Sequence, residues 1–298
     1  MKLVAANPFL GIGHMLEHPF LRYAFVAGTA IALASGLVGY FVVLRQQVFT
    51  GDALSHVALT GALAALAAGI DLRIGLYGAC ILVALVMAAL GSHGYADDTI
   101  IGSAFAWIVG LSAFFLTIYT TSRSGTAAGG TSGVNVLFGS ILGLSRTQAQ
   151  TSAVVAIAVA VAVLGLGRPL MFASIDAAVA AARGVPVRAL GFAFLALVGV
   201  TAAVTTQAVG ALLLLGLLAA PAGAAQHLTN RPFVAMALSA GVATLSMWAG
   251  LSIAYAAPTI PPSFAIVAVA SGCYLAAAIA TAVRRNTTSP AFLDGSAS

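Results

Sequence analysis

The sequence predicts an all-α, polytopic integral membrane protein with eight or nine transmembrane helices. Of its 298 residues, 61% are hydrophobic and only 6% are charged, whereas a soluble domain carries about a quarter charged residues. The mean hydropathy is +1.08. Apolar runs long enough to cross a bilayer recur along the chain, without the alternating pattern of strands. A chain of this composition cannot cover a water-exposed surface, so we place it in lipid.

A helix needs about 20 mostly apolar residues to cross the bilayer, and nine segments approach or exceed that length. Glycine and proline lie between them and mark the turns, as at Pro169 and Pro186. The junction 206–209 is so short that it makes either a tight hairpin or a broken helix. The nine candidates are residues 21–44, 52–70, 74–92, 98–120, 148–167, 188–207, 209–226, 233–256 and 261–283.

The basic residues predict the orientation of the chain. Nine spans divide these residues between two sides, and the positive-inside rule makes the richer side cytoplasmic. The N-terminus then lies outside and the C-terminus inside. Residues 1–285 form a single membrane domain, followed by a disordered tail at 286–298. The cytoplasmic set is Arg45, Arg168, Arg183, Arg188, Arg231, Arg284 and Arg285, and the outer set is Lys2, Arg22, Arg73, Arg123 and Arg146.

Two regions do not have the length of a span. The apolar patch at 134–144 is short, and we expect a re-entrant or interfacial segment on the outer side. Residues 172–186 include a short alanine-rich helix from Asp176 to Arg183, with Gly184 suited to its C-cap and proline to stop it. This helix lies on the cytoplasmic side. It is either an ordinary surface helix or one whose small residues dock into a groove of another protein.

Asp52 and His56, in the sequence TGDALSHVALTG, are the residues with the clearest chemistry. Four residues apart on a helix, they share one face. A carboxylate and a neutral imidazole suit zinc or manganese, and an acid inside the membrane usually marks a substrate path. Two alternatives remain open. Asp52 can cap the start of a helix, with its carboxylate on the amide of Leu54 or Ser55, and His56 can be a core imidazole bonded to a backbone carbonyl.

Several missing motifs limit the possible functions. The chain has no GxxxxGK[ST] sequence, and Lys2 is its single lysine, so any nucleotide must be bound by another subunit. It also lacks GxSxG and HExxH, which gives no support to a standard hydrolase. We therefore predict a non-enzymatic transport protein without a resident cofactor. The net charge of +5 bears on topology and does not indicate a nucleic-acid partner.

Several segments together resemble the ABC-3 family, the permeases of bacterial zinc and manganese ABC importers. FVVLRQQVFTGDALSHVALTG at 41–61 is similar to the family's FVVxRR segment followed by GDALSHxxLPG. The family order continues nearly to the C-terminus. Two positions depart from it: Gln46-Gln47 replaces a basic-rich turn, and Thr60 stands where proline is common. The other matching segments are 17–28, 97–105, 134–145, 175–190 and 208–226.

The resemblance implies a homodimeric permease in the bacterial cytoplasmic (inner) membrane. It implies a cytoplasmic ATP-binding subunit and an extracytoplasmic metal-binding protein as partners. Residues 175–185 become a coupling helix that contacts the ATP-binding subunit. Asp52 and His56 become metal-handling residues, and the transported ion is zinc or manganese, with a slight preference for zinc. The coupling-helix residues are Ser174, Asp176, Ala180, Ala181, Arg183 and Gly184.

The expected mechanism is alternating access driven by the partner subunit. Charge or bulk at Ala180 or Ala181 should uncouple transport by disturbing the docking of that subunit. The alternative function is a stand-alone secondary transporter that runs on an ion gradient.

Overall fold

The computed structural model describes residues 18–91, 98–122, 139, 141–211 and 214–288. Within these ranges the chain forms ten α-helices, a 3-10 turn at Ile141–Gly143 and no strand, which confirms the all-α prediction. The predicted outer segment is described only at 139 and from 141, and the tail from 289 onward lies outside the described residues. The helices are α1 (Pro19–Leu44), α2 (Val48–Ala68), α3 (Leu72–Leu90), α4 (Asp98–Ser122), α5 (Arg146–Ile175), α6 (Ala177–Ala182), α7 (Val187–Val209), α8 (Leu214–Leu228), α9 (Pro232–Ala256) and α10 (Pro262–Thr288).

Eight helices in the described ranges are long and apolar enough to cross a membrane, and the predicted span 209–226 is not among them. α8 has 15 residues, or about 22 Å of helix, which is less than the bilayer core of about 30 Å. The helix breaks because Gly210 adopts φ 98° directly after α7. Thr205 hydrogen-bonds to Ser35 in the middle of α1 at 2.9 Å, so this break lies within the depth of the membrane.

Pro169 does not end a helix, contrary to the sequence prediction. α5 continues through it to Ile175 and has 30 residues. A proline inside a helix removes one backbone hydrogen bond, but the residues that follow it are held by packing: Leu170 is fully buried and Met171 nearly so. Burial of this face therefore outweighs the lost hydrogen bond, and Arg168 lies on the helix and not in a loop.

The loops that the arginines assign to the cytoplasm lie on one face of the protein. α1 ends at Arg45, whose side chain bonds to Ser174 near the end of α5. α9 runs antiparallel to α1, because Ser239 donates to the carbonyl of Gly36 at 2.7 Å while Trp248 bonds to a residue nearer the start of α1. The turn after α1, the segment around α6 and the start of α9 therefore share a face. We call this the Arg45 face.

α1 is the central helix, and α4 is peripheral. Of the apolar stretch of α1, 78% is buried within the chain, compared with 11% for α4. α1 packs on α5, α8 and α9, whereas α4 packs mainly on α2 and touches α3 only slightly. Small residues allow the close approaches around α1: a Cβ at Gly36 would lie 2.6 Å from the Cα of Ala240. α4 therefore lies at the edge of the bundle, against α2, the helix that carries Asp52 and His56.

Candidate metal site

Asp52 lies in the second turn of α2 and does not cap it. The helix begins at Val48, and its N-cap residue, Gln47, makes no side-chain cap hydrogen bond. The capping alternative for Asp52 is therefore wrong, because the amides of Leu54 and Ser55 lie well inside the helix. The Ser55 hydroxyl instead donates to the backbone carbonyl of Asp52 at 2.7 Å. The carboxylate is partly exposed and remains available for other contacts.

His56 lies one turn further along α2, and both side chains are on the side that faces α4. The His56 ring packs edge-on against Phe105 of α4, with ring centroids 5.0 Å apart and an interplanar angle of 88°. No hydrogen bond of this ring is found within the described part of the chain, so the backbone-carbonyl alternative has no support there. The imidazole is oriented by an apolar contact, which leaves its nitrogens available to a ligand.

A pocket of about 430 Å³ opens beside Asp52, between α2 and α4. Its other walls are apolar, and Asp52 contributes the only charged side chain among its described lining residues. A carboxylate in apolar surroundings attracts a cation strongly, because little water competes for it. The remaining lining residues are Phe49, Ile101, Gly102 and Phe105.

The two side chains are an incomplete ligand set for a metal ion. A tetrahedral site needs four ligands, and the described residues contain no group of three or more His, Cys, Asp or Glu side chains placed to hold a metal. Asp52 and His56 therefore supply at most half of a tetrahedral shell from one chain. A site of this kind suits a transported ion, which must be released again.

Thr60 extends the polar side of α2 by one further turn, and sequence reasoning did not identify its role. Its Oγ1 lies 2.8 Å from the carbonyl oxygen of His56 and 3.2 Å from that of Ile108, and it hydrogen-bonds to the Ser112 hydroxyl. Ile108 and Ser112 belong to α4, so this cluster ties the two helices together. The spacing of four residues from His56 was the available signal.

α6 begins and ends one residue inside the predicted range of Asp176 to Arg183. Asp176 is its N-cap residue, and the carboxylate accepts a hydrogen bond from the Val179 amide at 2.9 Å. Arg183 is the C-cap residue, and Gly184 follows with φ 81°, a conformation that glycine adopts without strain. The helix is six residues long and lies on the Arg45 face, and it begins three residues after Ser174.

The two alanines selected in this helix face in opposite directions. Ala180 is fully buried against the rest of the chain, whereas Ala181 is exposed, as are Arg183 and Gly184. Because the Ala180 side chain is not on the surface, bulk there would have to displace α6 in order to disturb docking, and its effect on transport stays a prediction. A separate subunit on the Arg45 face can reach Ala181.

Arg45, the C-cap residue of α1, bonds to the segment just before α6, a contact that no local sequence pattern predicted. Its Nε donates to the Ser174 hydroxyl at 2.8 Å, between residues 129 positions apart. Its guanidinium carbon lies 4.5 Å from the ring centroid of Phe194 on α7. One side chain thus links the end of α5, just before the predicted coupling helix, to the turn that precedes α2.

The chain has relatives among known membrane transport proteins. A sequence model described as the ABC 3 transport family matches residues 17–281. The chain is 28% identical to the manganese transport system membrane protein MntC of Halalkalibacterium halodurans, over 80% of this chain and 79% of that protein. It is 30% identical to the chelated iron transport system membrane protein YfeD of Yersinia pestis, over 70% of this chain and 68% of the relative.

The fold is also found among solved structures. A chain of PsaBC from Streptococcus pneumoniae in complex with Fab superposes with a TM-score of 0.77 and 24% sequence identity. The match covers 91% of this chain and 95% of the other. At this identity the likeness concerns the arrangement of the helices.

Proposed function

We propose, since the chain belongs to the ABC 3 transport family, that it is the membrane permease subunit of an ATP-driven importer of a divalent transition metal. The observation that carries this proposal is the placement of Asp52 and His56 on one side of a membrane-embedded helix, beside a pocket with otherwise apolar walls. The chain itself is not an enzyme on this proposal. ATP is hydrolysed by a separate subunit in the cytoplasm.

Manganese is the cargo that we propose, in place of the slight preference for zinc drawn from the sequence. The relative MntC is named for manganese and YfeD for chelated iron, and neither name supports a zinc preference. The chemistry is compatible, because a carboxylate and an imidazole both serve as manganese ligands. The ion is a substrate here, and the protein needs no cofactor of its own.

Transport proceeds by alternating access in a homodimer in the bacterial inner membrane. Each protomer supplies Asp52 and His56, so that two half-sets of ligands complete a shell that a single chain leaves open. An extracytoplasmic binding protein delivers the ion from outside. On the Arg45 face, the ATP-binding subunit contacts the exposed side of α6 and moves it as ATP binds and is hydrolysed.

The test is ATP-dependent uptake of radioactive Mn²⁺ by cells that express the complete transport operon. The double variant Asp52→Ala, His56→Ala should lower the uptake at least about tenfold, because metal sites lose affinity by this order when their ligation shell is disturbed. The matched control is Asp71→Ala, His227→Ala. Asp71 caps α3 from an exposed turn and His227 lies at the exposed end of α8, so the control removes an acid and an imidazole that lie outside the proposed site.

The outcomes separate the possible functions. Loss of uptake in the first variant alone, with normal insertion and assembly, supports the proposed ligands. Unchanged Mn²⁺ and Zn²⁺ uptake in that variant would contradict them. Uphill uptake by the purified chain in liposomes without nucleotide would show a gradient-driven secondary transporter and would end the proposal. Competition by Zn²⁺ or chelated iron at equal concentration tests the cargo.

A further inference from the structure

Backbone hydrogen bonds hold the turn between α1 and α2 against the end of α1. Arg45 donates its backbone N–H to the carbonyl of Phe41, and the amide of Gln47 bonds back to Val42 at 2.9 Å. Gln46 between them has φ 57°, a conformation that non-glycine residues adopt rarely. Because the turn is short and hydrogen-bonded at both ends, a displacement of Arg45 must move the first turn of α2.

The side chain of Arg45 contacts one residue that precedes the predicted coupling helix in the sequence and one that follows it. Ser174 precedes α6, and its hydroxyl accepts from Arg45 while donating to the Leu170 carbonyl at 2.6 Å. Phe194 lies on α7, the helix that follows α6, and is fully buried beneath the Arg45 guanidinium. A planar guanidinium can satisfy both contacts at once, one by its edge and one by its face.

Arg45 itself is held in a nearly buried position. It is 9% exposed, on the face of the protein where the chain otherwise meets water. A charged side chain in such a place keeps one geometry, because alternative rotamers would lose its hydrogen bond and its ring contact. The contact is therefore stiff enough to pass on a movement of Ser174.

We infer that Arg45 is a positioning residue that transmits the movement of α6 to α2, the helix that carries Asp52 and His56. The path runs from α6 through Ser174 to Arg45 and across the short turn into α2. A displacement of α6 by the ATP-binding subunit would then shift the metal residues directly. The inference rests on the proposed function, since it assumes that the ATP-binding subunit displaces α6.

The experiment uses Ser174→Ala and Arg45→Lys, each with a matched control. Ser252→Ala is the control for the serine, because Ser252 makes the same bond to its own helix, 2.8 Å to the Trp248 carbonyl, without an arginine partner. Arg188→Lys is the control for the arginine. Arg188 lies on the same face with its guanidinium carbon 6.0 Å from a phenylalanine ring, but it is exposed.

The first measurement is Mn²⁺ uptake per ATP hydrolysed, in proteoliposomes that contain the chain with its ATP-binding subunit and binding protein. Ser174→Ala and Arg45→Lys should lower this ratio roughly three- to tenfold, as expected for loss of one charged hydrogen bond in a coupling path. Copurification with the ATP-binding subunit should be unchanged. The control variants should keep the wild-type ratio.

The second measurement needs no transport. Spin labels at Ala181 on α6 and Phe49 on α2 report the distance between the two helices in the purified chain. Both side chains are exposed, and Cys273→Ser removes the half-buried native thiol. The distance distribution should be narrow in the wild type and broad in Ser174→Ala and in Arg45→Lys.

The results separate a failed link from a failed function. An unchanged ratio and an unchanged distribution in Ser174→Ala would overturn the inference, as would an equal loss in Ser252→Ala. If the wild type shows no ATP-dependent uptake, the proposed function fails. The label distances then decide alone whether Arg45 links α6 to α2.

Discussion

Two glycines on α3 should respond to the same substitution with opposite signs. Gly75 and Gly78 lie one turn apart, but only Gly75 faces α2. A Cβ at Gly75 would collide with the carbonyl oxygen of Gly61 and would lie 2.6 Å from the Cβ of Ala65, whereas a Cβ at Gly78 would meet no atom within 4 Å. The pair therefore separates the packing effect of a methyl group from its effect on helix propensity.

The magnitude follows from these contacts. Carbon atoms pack best about 3.5–4.0 Å apart, so Gly75→Ala forces α2 and α3 apart by roughly 1 Å. Overpacking of this kind costs about 1–3 kcal/mol. Gly78→Ala has no clash and should stabilise the helix by about 0.5–1 kcal/mol, because alanine loses less backbone freedom than glycine.

Unfolding of the purified protein in mixed micelles, followed by circular dichroism against added SDS or temperature, compares the two variants. Gly75→Ala should unfold at the lower denaturant concentration and Gly78→Ala at a slightly higher one than the wild type. Equal midpoints for the two variants would refute the close contact between α2 and α3. A midpoint for Gly75→Ala above that of the wild type would refute it as well.

Three further outcomes can be measured. Thr60→Val removes the hydroxyl that joins α2 to Ser112 on α4 and should weaken Mn²⁺ uptake several-fold through a higher KM. Thr117→Val, whose hydroxyl bonds only within α4, should keep the wild-type KM. Equal KM values for the two variants would exclude a role of Thr60 in positioning the site. Asp176→Ala removes the cap of α6 and should cost about 1 kcal/mol locally, measured as faster amide exchange in α6 but not in α7. Gly184→Ala places a side chain at φ 81° and should destabilise α6 by roughly 1–2 kcal/mol. Unchanged amide exchange in α6 would contradict backbone strain at this position.

Eight of the nine predicted spans, the shared face of Asp52 and His56, and the limits of α6 could be predicted because their signals are local. Apolar length identified the spanning helices, and a spacing of four residues placed Asp52 and His56 on one face. An acidic residue before an alanine run and a glycine after it gave the limits of α6. These features depend on residues within a few turns of one another, so the sequence contains what is needed to recognise them.

The remaining features depend on contacts between distant parts of the chain. The short junction 206–209 allowed a tight hairpin or a broken helix, but nothing in the apolar run AVGALLLL locates the break at Gly210. The buried side of α6 could not be deduced, because a run of alanines has no polar face to oppose an apolar one. Arg45 and Ser174 are 129 positions apart in the sequence and meet only in the folded chain. Pro169 has a local signal, but the burial of its neighbours overrides it.

The short length of α8 has a consequence for how the chain enters the membrane during synthesis. The helix has fifteen residues, among them Gln226 and His227, which is too few to be recognised reliably as an independent span. α8 is buried mainly against α1, α9 and α10, and the last two are made after it. The newly made segment after Gly210 therefore has to wait for later helices before its backbone ends are shielded from lipid. In ribosome-bound chains that stop before α9, a cysteine introduced into α8 should be accessible to water-soluble thiol reagents.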